Sequence, residues 1–390
     1  MTSPHLETAL TPVTLLTGFL GSGKTTVLNQ LVRQPTLART LVIINEFGEI
    51  GLDHLLMSRV AEGNMIEMSS GCLCCTIRGD LVETLRDAHW RYQVGGESRF
   101  DRVVIETTGL ADPAPIIHTL MSVAAIARRY RLDGVVATID LTSAEATLDA
   151  QPEAVKQAAM ADCLLLTKRD LVEPEQAAML EQRLQRINPA ARRLEARHGQ
   201  VAAADILGLG LFSTNAKIPD VARWLNEEAY TQAHDPHASH SHHGPRQANA
   251  AEDSGQHDHQ DHDDHQDHDH HHDHGHDHGH AHDVNRHDDH IQSFAIIVDQ
   301  PIPDAMLDAW LDLLLAMCGQ DMLRIKGILN VRGRPKPIAI HGVQHLFYPP
   351  IELPGWTSED RRSKLVFITR NVPRAVIEET LEAFLATWPD

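Results

Sequence analysis

Residues 18–25 read Gly-Phe-Leu-Gly-Ser-Gly-Lys-Thr, which is the complete spacing of a phosphate-binding loop. The glycines let successive backbone N–H groups point at phosphate oxygens, and the helix that follows adds its positive N-terminal end. In this pattern Lys24 contacts the β- and γ-phosphates, and the hydroxyl of Thr25 ligates magnesium. The predicted nucleotide-binding residues of this loop are Gly18, Gly21, Ser22, Gly23, Lys24, Thr25 and Thr26.

A second motif, Val-Val-Ile-Glu-Thr-Thr-Gly at residues 103–109, has the form of the second phosphate and magnesium motif. Proteins with a phosphate-binding loop place an acid at the end of such an apolar strand to hold magnesium, and Gly109 can bring its N–H close to the γ-phosphate. Glu106 replaces the commoner Asp, so its longer arm could instead orient the attacking water. The sequence leaves both roles open, and Lys24, Glu106 and Gly109 are the predicted catalytic residues.

The apolar run at residues 162–167 leads into Thr167-Lys168-Arg169-Asp170, a variant of the Asn-Lys-x-Asp guanine motif. A carboxylate at Asp170 can accept both the ring N–H and the exocyclic amine of guanine, and adenine offers neither in that arrangement. The stem of Lys168 would pack along the base, and Thr167 stands where the motif has Asn. The alternatives are a solvated turn or an ATP-preferring kinase or ATPase, and the motif favours guanine.

Three of the five cysteines lie in the segment Gly-Cys-Leu-Cys-Cys at residues 71–75. In an extended run Cys72 and Cys74 face the same way, and a turn can bring Cys75 round to complete a three-thiolate zinc site. The fourth ligand must come from elsewhere, and Glu49 is a candidate, although it also fits an ordinary exposed acid. An incomplete site suits release of the metal, whereas buried structural thiols or a redox pair are the alternatives.

Residues 234–290 contain 20 of the 27 histidines and almost no apolar side chains. Such a segment cannot bury enough surface to offset its ordering entropy, so a disordered linker is predicted. Its imidazoles could bind several zinc, nickel or cobalt ions exchangeably, and the alternative is a solubilising acidic linker. The ligands predicted for this weak binding are His268, His270, His272, His274, His276, His278 and His280. Isolated histidines such as His118 and His345 are interpreted as surface or core residues.

The net charge of −20 is concentrated in this histidine-rich segment, and the remainder of the chain carries no basic stripe. Nucleic acid and anionic membrane surfaces are therefore not expected as partners. No early stretch combines a basic start with a long apolar run, so neither a signal peptide nor a membrane span is predicted. The clustered cysteines suit a reducing compartment, and a cytoplasmic location is expected.

Apolar runs alternate with amphipathic stretches from residue 13 to about residue 224, which predicts an α/β fold with a mostly parallel sheet flanked by helices. The motif residues follow the strands, so they should converge on the carboxyl edge of that sheet. The predicted domains are a P-loop GTPase domain with the Cys-x-Cys-Cys motif at residues 1–228, a disordered His/Asp-rich linker at 229–290, and a smaller α+β C-terminal domain at 291–390.

These motifs, in this order, resemble the CobW-like family of P-loop GTPases, which are relatives of nickel-inserting GTPases. The resemblance is carried by residues 17–26, 45–49, 71–75, 105–113 and 167–170, and it continues into a CobW-type C-terminal domain at residues 324–328 and 364–368. It therefore covers nearly the whole chain. Some relatives carry a further acid where this chain has Ile44, so a metal site using that position is not expected here.

The resemblance implies hydrolysis of GTP with magnesium and delivery of a metal, most often zinc, to a metal-dependent client protein. No residue stands out as an arginine finger, so slow intrinsic turnover is expected. The leading hypothesis is a GTP-dependent metallochaperone that transfers zinc, or alternatively cobalt or nickel, from the Cys-x-Cys-Cys site on hydrolysis. A zinc storage protein and a cobalt-delivery protein for cobalamin synthesis or nitrile hydratase stay open, as does a nucleotide- or metal-dependent dimer.

Overall fold

The computed structural model describes residues 10–46, 65–69, 75–94, 97–210, 225–226, 229–230 and 290–387. The strands up to residue 210 are β1 (Thr11–Gly18), β2 (Thr40–Glu46), β3 (Met65–Ser69), β4 (Gln93–Val94), β5 (Glu97–Ser98), β6 (Arg102–Glu106), β7 (Tyr130–Asp140), β8 (Cys163–Thr167) and β9 (Arg192–Ala196). The α-helices of this part are α1 (Lys24–Leu31), α2 (Cys75–Arg91), α3 (Ala114–Ser122), α4 (Ala124–Ala127), α5 (Ala144–Ala150), α6 (Pro152–Met160), α7 (Pro174–Ile187) and α8 (Ala203–Ile206).

Seven of these strands form one sheet in the order β3-β2-β6-β1-β7-β8-β9, and every neighbouring pair is parallel. Parallel strands are covered on both faces, and this burial explains why they consist of almost continuous apolar runs. Leu15, Ile43, Ile105 and Leu164 lie in a core cluster on one face, while Val136 and Leu165 belong to a cluster on the other. The predicted α/β sheet flanked by helices is therefore confirmed.

The C-terminal part contains a second sheet, which is antiparallel. Its strands are β10 (Ile291–Val298), β11 (Met322–Leu329), β12 (Ile338–Val343), β13 (Leu346–Phe347), β14 (Ile351–Glu352) and β15 (Ser363–Arg370). Two helices, α9 (Asp304–Cys318) and α10 (Arg374–Thr387), accompany it. The strand order is β10-β15-β11-β12-β13, with β14 paired to β12. This arrangement confirms the predicted smaller α+β fold.

The two faces of the C-terminal sheet have different partners. On one face Phe294 stacks on Phe367 with ring centroids 5.3 Å apart, and both lie in a core cluster with Trp310 of α9. On the other face Val366 and Ile368 belong to the same apolar cluster as the nucleotide-domain sheet. The C-terminal sheet is therefore sandwiched between its own helices and the preceding domain.

A buried carboxylate joins the two sheets at that contact. Asp162, whose side chain is 8% exposed, accepts a hydrogen bond from the backbone N–H of Val135 at 3.0 Å. It also pairs with Arg324 and with Lys326 Nζ, the latter at 3.1 Å, both on β11. Although burial alone would raise it, the charges of Arg324 and Lys326 hold the pKa of Asp162 well below its ordinary value. Burial and the neighbouring Arg324 lower the pKa of Lys326 to about 8.

The helices that the structure describes include none long and apolar enough to traverse a lipid bilayer. The longest of these helices, α2, spans 17 residues.

Replacing Asp162 by Ala should destabilise the protein by about 3–5 kcal/mol, because Arg324 and Lys326 would stay buried without their counter-ion. The matched control is Asp101→Ala, which breaks an exposed pair with Arg39 and should cost less than about 1 kcal/mol. Urea unfolding of both variants beside the parent chain measures the difference. An equal loss of unfolding free energy in the two variants would contradict the role of Asp162 as the buried counter-ion of Arg324 and Lys326.

The same carboxylate gives a pH dependence whose sign follows from its pKa. The pKa of Asp162 is depressed in the folded protein relative to about 3.9 in an unfolded chain. Its stabilisation is therefore complete above that unfolded value and is lost as the pH falls toward the folded value. The stability gap between the parent chain and Asp162→Ala should narrow below about pH 4.

Candidate functional site

The carboxyl ends of four central strands bring the predicted nucleotide residues to one edge of the parallel sheet. Strand β1 leads through the glycine-rich loop to Lys24, the first residue of α1, and the next strand in the sheet, β6, ends at Glu106. On the other side of β1, β7 ends at Asp140 and β8 ends at Thr167. Ligands of open α/β sheets bind at this edge, so the convergence agrees with a nucleotide site.

The backbone of the phosphate-binding loop needs glycine at fixed positions. Gly18 and Gly23 have φ angles of 139° and 91°, in the region that favours glycine. A Cβ built at Gly18 would lie 2.2 Å from the hydroxyl of Thr138, so any side chain would collide with β7. That hydroxyl also lies 2.6 Å from the hydroxyl of Ser22, which joins the loop to the sheet. Gly21 is exposed, and Thr26 is exposed in the first turn of α1.

Lys24 and Thr25 place a cation and a hydroxyl beside this loop. Lys24 Nζ donates to the carbonyl oxygens of Gly18 at 3.0 Å and Phe19 at 3.2 Å, so the ammonium group lies over the loop backbone. The hydroxyl of Thr25 donates to Glu106 Oε1 at 2.8 Å. A hydroxyl and a carboxylate are hard oxygen donors of the kind that Mg²⁺ takes together with substrate phosphates. The donor set therefore fits magnesium.

Thr167 connects the predicted base motif to the phosphate-binding loop. Its buried hydroxyl donates to the carbonyl oxygen of Ser22 at 2.9 Å and lies 3.2 Å from that of Ile139. Thr167 therefore links the base motif to the phosphate-binding loop through its side chain. Asp170, three residues further along, is exposed at the same edge, as contact with a base requires.

Asp140 is a site residue that the sequence analysis missed. Lys168, in the left-handed region with a φ of 56°, donates from Nζ to Asp140 Oδ2 at 2.6 Å. The backbone N–H and hydroxyl of Thr142 donate to Oδ1 at 2.9 and 2.7 Å. Although burial opposes it, the hydrogen bonds from Lys168 and Thr142 lower the pKa of Asp140. The stem of Lys168 is thereby positioned, and the acid at the end of a long apolar strand was the available signal.

Gly109 follows β6, on the other side of β1 from β7 and β8, and lies close to the phosphate-binding loop. A Cβ built on Gly109 would lie 2.6 Å from the backbone nitrogen of Leu20, so only glycine fits. The buried side chain of Gln157, on α6, donates to the carbonyl oxygens of Gly109 at 3.2 Å and Ala111 at 2.9 Å. The segment after Glu106 is thus fixed by a residue that no sequence motif marked.

Asp112 extends this segment to the C-terminal domain. Its Oδ1 accepts the N–H of Ala114, the first residue of α3, at 2.9 Å. Its Oδ2 accepts Lys156 Nζ at 3.1 Å and Nε2 of Gln344, in the turn between β12 and β13, at 3.3 Å. The chain that follows the magnesium motif is therefore in direct contact with the C-terminal sheet.

The predicted metal ligands fall largely outside the described residues. This applies to Glu49, Cys72, Cys74 and the seven histidines predicted as weak ligands from His268 to His280, while Cys75 is the first residue of α2. Within the described ranges, no group of three or more His, Cys, Asp or Glu side chains is arranged to hold a metal ion. The Cys-x-Cys-Cys site and the weak histidine sites stay predictions.

Two family descriptions match the chain in separate regions. Residues 12–195 match the CobW/HypB/UreG nucleotide-binding domain, and residues 291–385 match the cobalamin synthesis protein CobW C-terminal domain. Together they leave out the histidine-rich segment, which lies between them.

Relatives of similar length match almost end to end. The zinc chaperone YjiA of Escherichia coli is 32% identical over 372 residues, covering 95% of this chain and 97% of that protein. The zinc chaperone CobW of Pseudomonas aeruginosa is 28% identical, covering 98% and 94%. The crystal structure of Zn(II)-bound YjiA GTPase from E. coli superimposes with a TM-score of 0.60 at 26% identity, covering 96% of this chain and 99% of that one. The chain therefore belongs to the CobW family and carries both its nucleotide-binding domain and its C-terminal domain.

Proposed function

We propose that this protein is a GTP-dependent metallochaperone that binds zinc at Cys72, Cys74 and Cys75 and transfers it to a client protein when GTP is hydrolysed. Family membership makes the chain a GTPase, and relatives named zinc chaperones match it over nearly its whole length. A role in supplying metal to proteins that require it follows from the same relationship.

The proposed coupling of the cysteine site to the nucleotide is supported by the position of the two elements that flank the cysteine motif. Strand β3 ends at Ser69 and α2 begins at Cys75, so the motif occupies the connection between them. In the sheet register Ile44 of β2 pairs with Glu67 of β3 on one side and with Glu106 of β6 on the other. The cysteine connection therefore leaves the sheet at the same edge as the magnesium motif, two strands away.

That placement supports a coupling between nucleotide state and metal geometry. Lys24 would bind the phosphates, and Thr25 and Glu106 would hold Mg²⁺, which neutralises phosphate charge during transfer. Gly109, already against the backbone of Leu20, would respond to the γ-phosphate together with the segment around Glu49. Ordering of these segments reshapes the three-thiolate site, and hydrolysis relaxes it.

The incompleteness of the thiolate site supports transfer rather than retention. Structural zinc sites are closed by four protein ligands, whereas three thiolates leave a position at which a client can supply its own ligand. The weak imidazole sites proposed for residues 268–280 would collect metal near this cargo site. Location in the cytoplasm, where thiols stay reduced, is part of the same proposal.

Zinc affinity should differ between the two nucleotide states. Anaerobic titrations with a zinc chelator should give affinities that differ by roughly 5–150-fold between a non-hydrolysable GTP analogue and GDP, as allosteric couplings commonly do. Cys72→Ser, Cys74→Ser and Cys75→Ser should each abolish the difference. The matched control is Cys318→Ser, because that thiol lies on α9 and donates to the carbonyl oxygen of Leu314. Equal zinc affinities in the two states would refute the coupling, and retention of the difference in the three variants would refute the site.

One substitution at Asp170 should change the base preference of the site from guanine towards xanthine. Asp170→Asn should weaken GTP binding by about 3 kcal/mol, or roughly 100-fold, because two hydrogen bonds to a charged acceptor are lost. The new amide can donate to the extra carbonyl of xanthine, so xanthosine triphosphate should bind better than to the parent chain. Competition binding with GTP, ATP and xanthosine triphosphate measures this, with Asp101→Asn as the exposed control. Unchanged GTP binding in Asp170→Asn would favour the kinase or ATPase alternative.

Glu106→Gln separates the two roles that the sequence leaves open. The amide preserves shape but removes the charge beside Thr25, so the Mg²⁺ concentration for half-maximal GTP turnover should rise at least tenfold. Nucleotide affinity measured without Mg²⁺ should change little. If turnover falls while its Mg²⁺ dependence is unchanged, Glu106 acts on the attacking water instead of the metal.

A further inference from the structure

Two histidines from distant parts of the chain face each other where the nucleotide-binding domain contacts the C-terminal sheet. His118 lies on α3, and His345 lies in the turn between β12 and β13. Their ring centroids are 5.7 Å apart, and their planes are tilted by 42°. His118 is half-buried and His345 is exposed, so the pair is open to solvent on one side.

We propose that His118 and His345 form a binding site for a divalent late transition-metal ion, with water completing its coordination. Metal–nitrogen bonds of about 2.1 Å and a roughly tetrahedral angle place the centroids of two imidazoles on one ion about 5 Å apart. The observed separation of 5.7 Å is close to this value. The spacing of the two rings is therefore compatible with both imidazoles binding one ion.

Ser122 is the hydrogen-bonding neighbour of the His118 ring on α3. The hydroxyl of Ser122, one turn along α3, donates to the carbonyl oxygen of His118 at 2.9 Å. The hydroxyl oxygen of Ser122 also lies 3.2 Å from Nδ1 of the His118 ring. In the tautomer whose Nδ1–H donates to Ser122 Oγ, Nε2 is the ring nitrogen that would ligate the metal. A second hydrogen bond of this kind is the usual support of a metal-binding imidazole.

Both imidazoles stand on backbone that is already fixed. Gln344, next to His345, has a φ of 52°. Its backbone N–H donates to the carbonyl oxygen of Met322 at 2.8 Å, and its side-chain Nε2 donates to Asp112 Oδ2 at 3.3 Å. A Cβ built at Gly319 would lie 3.1 Å from the Cβ of His345, so the turn is packed tightly against the end of α9. A site on such rigid elements loses little entropy when it binds its ion.

The location gives the site a structural consequence. Helix α3 begins directly after the segment that contains Gly109 and Asp112, and the turn with His345 belongs to the C-terminal sheet. A metal ion held by both histidines therefore clamps the C-terminal sheet to the chain that follows the magnesium motif. Two protein ligands make the binding exchangeable. This site is separate from the cysteine motif and does not depend on the proposed transfer of zinc.

Residue-resolved footprinting tests the pair in the full-length protein, despite its other histidines. Diethyl pyrocarbonate modifies accessible imidazoles, and mass spectrometry of peptides reports His118 and His345 individually. Ni²⁺ is the probe, and a chelator buffer sets its concentration so that the histidine-rich segment cannot deplete it. Both residues should be protected by Ni²⁺ with one common half-saturation concentration.

The reciprocal variants decide whether the two residues act together. His118→Gln should raise the Ni²⁺ concentration that protects His345 at least tenfold, and His345→Gln should do the same for His118. His89→Gln, which changes a histidine of α2 beside Trp90, should leave both protections unchanged. Because His345 is exposed, its variant keeps the test valid even if His118→Gln alters folding. Absence of protection in the parent chain, or undiminished protection of either histidine without the other, would overturn the proposal.

Discussion

The buried carboxylate of Asp162 is the interaction on which the arrangement of the two sheets depends. An ionised acid at this depth is tolerated only with opposite charges and hydrogen bonds around it, and Val135, Arg324 and Lys326 supply them. Arg324 also donates to the carbonyl oxygen of Met160 at 2.5 Å, at the end of α6. Any displacement of the C-terminal sheet would separate these groups and leave charge buried, so the contact selects one relative position.

Strand β8 transmits that constraint to the nucleotide site. Asp162 precedes its first residue, and Thr167 at its last residue is bonded to the phosphate-binding loop through Ser22. A buried parallel strand between two neighbours is among the stiffest elements in a fold, because its side chains are packed on both faces. The C-terminal domain therefore contacts one end of β8, and the base motif follows its other end. A second route runs along the surface from Gly109 through Asp112 to Gln344.

The sequence predicted the parts of the site whose chemistry is local. The phosphate-binding loop follows from glycine spacing alone, and the acid at Glu106 follows from its position after an apolar strand. Asp140 was missed although it ends an apolar strand, because its pairing with Lys168 forms only in the folded sheet. Gln157 was missed because its role arises only when α6 meets the segment of Gly109. Gln157 lies on α6 with no motif around it, so only the folded contact with Gly109 distinguishes it. Thr167 stands where the guanine motif has Asn, and its hydroxyl bond to Ser22 in the phosphate-binding loop could be seen only in the folded chain.

The two proposed metal positions differ in ligand chemistry, and that difference bears on their tasks. Three thiolates hold zinc tightly, so the geometry of their site must change before the zinc is released. Two imidazoles bind an ion more weakly and exchange it with the surrounding solution. The histidine pair also spans the surface route between Gly109 and the C-terminal sheet, whereas the cysteine motif falls in the connection between β3 and α2. An ion at His118 and His345 would therefore stabilise the conformation in which Asp112 and Gln344 are in contact. By linkage, any nucleotide state that favours this contact must strengthen that metal site by the same factor.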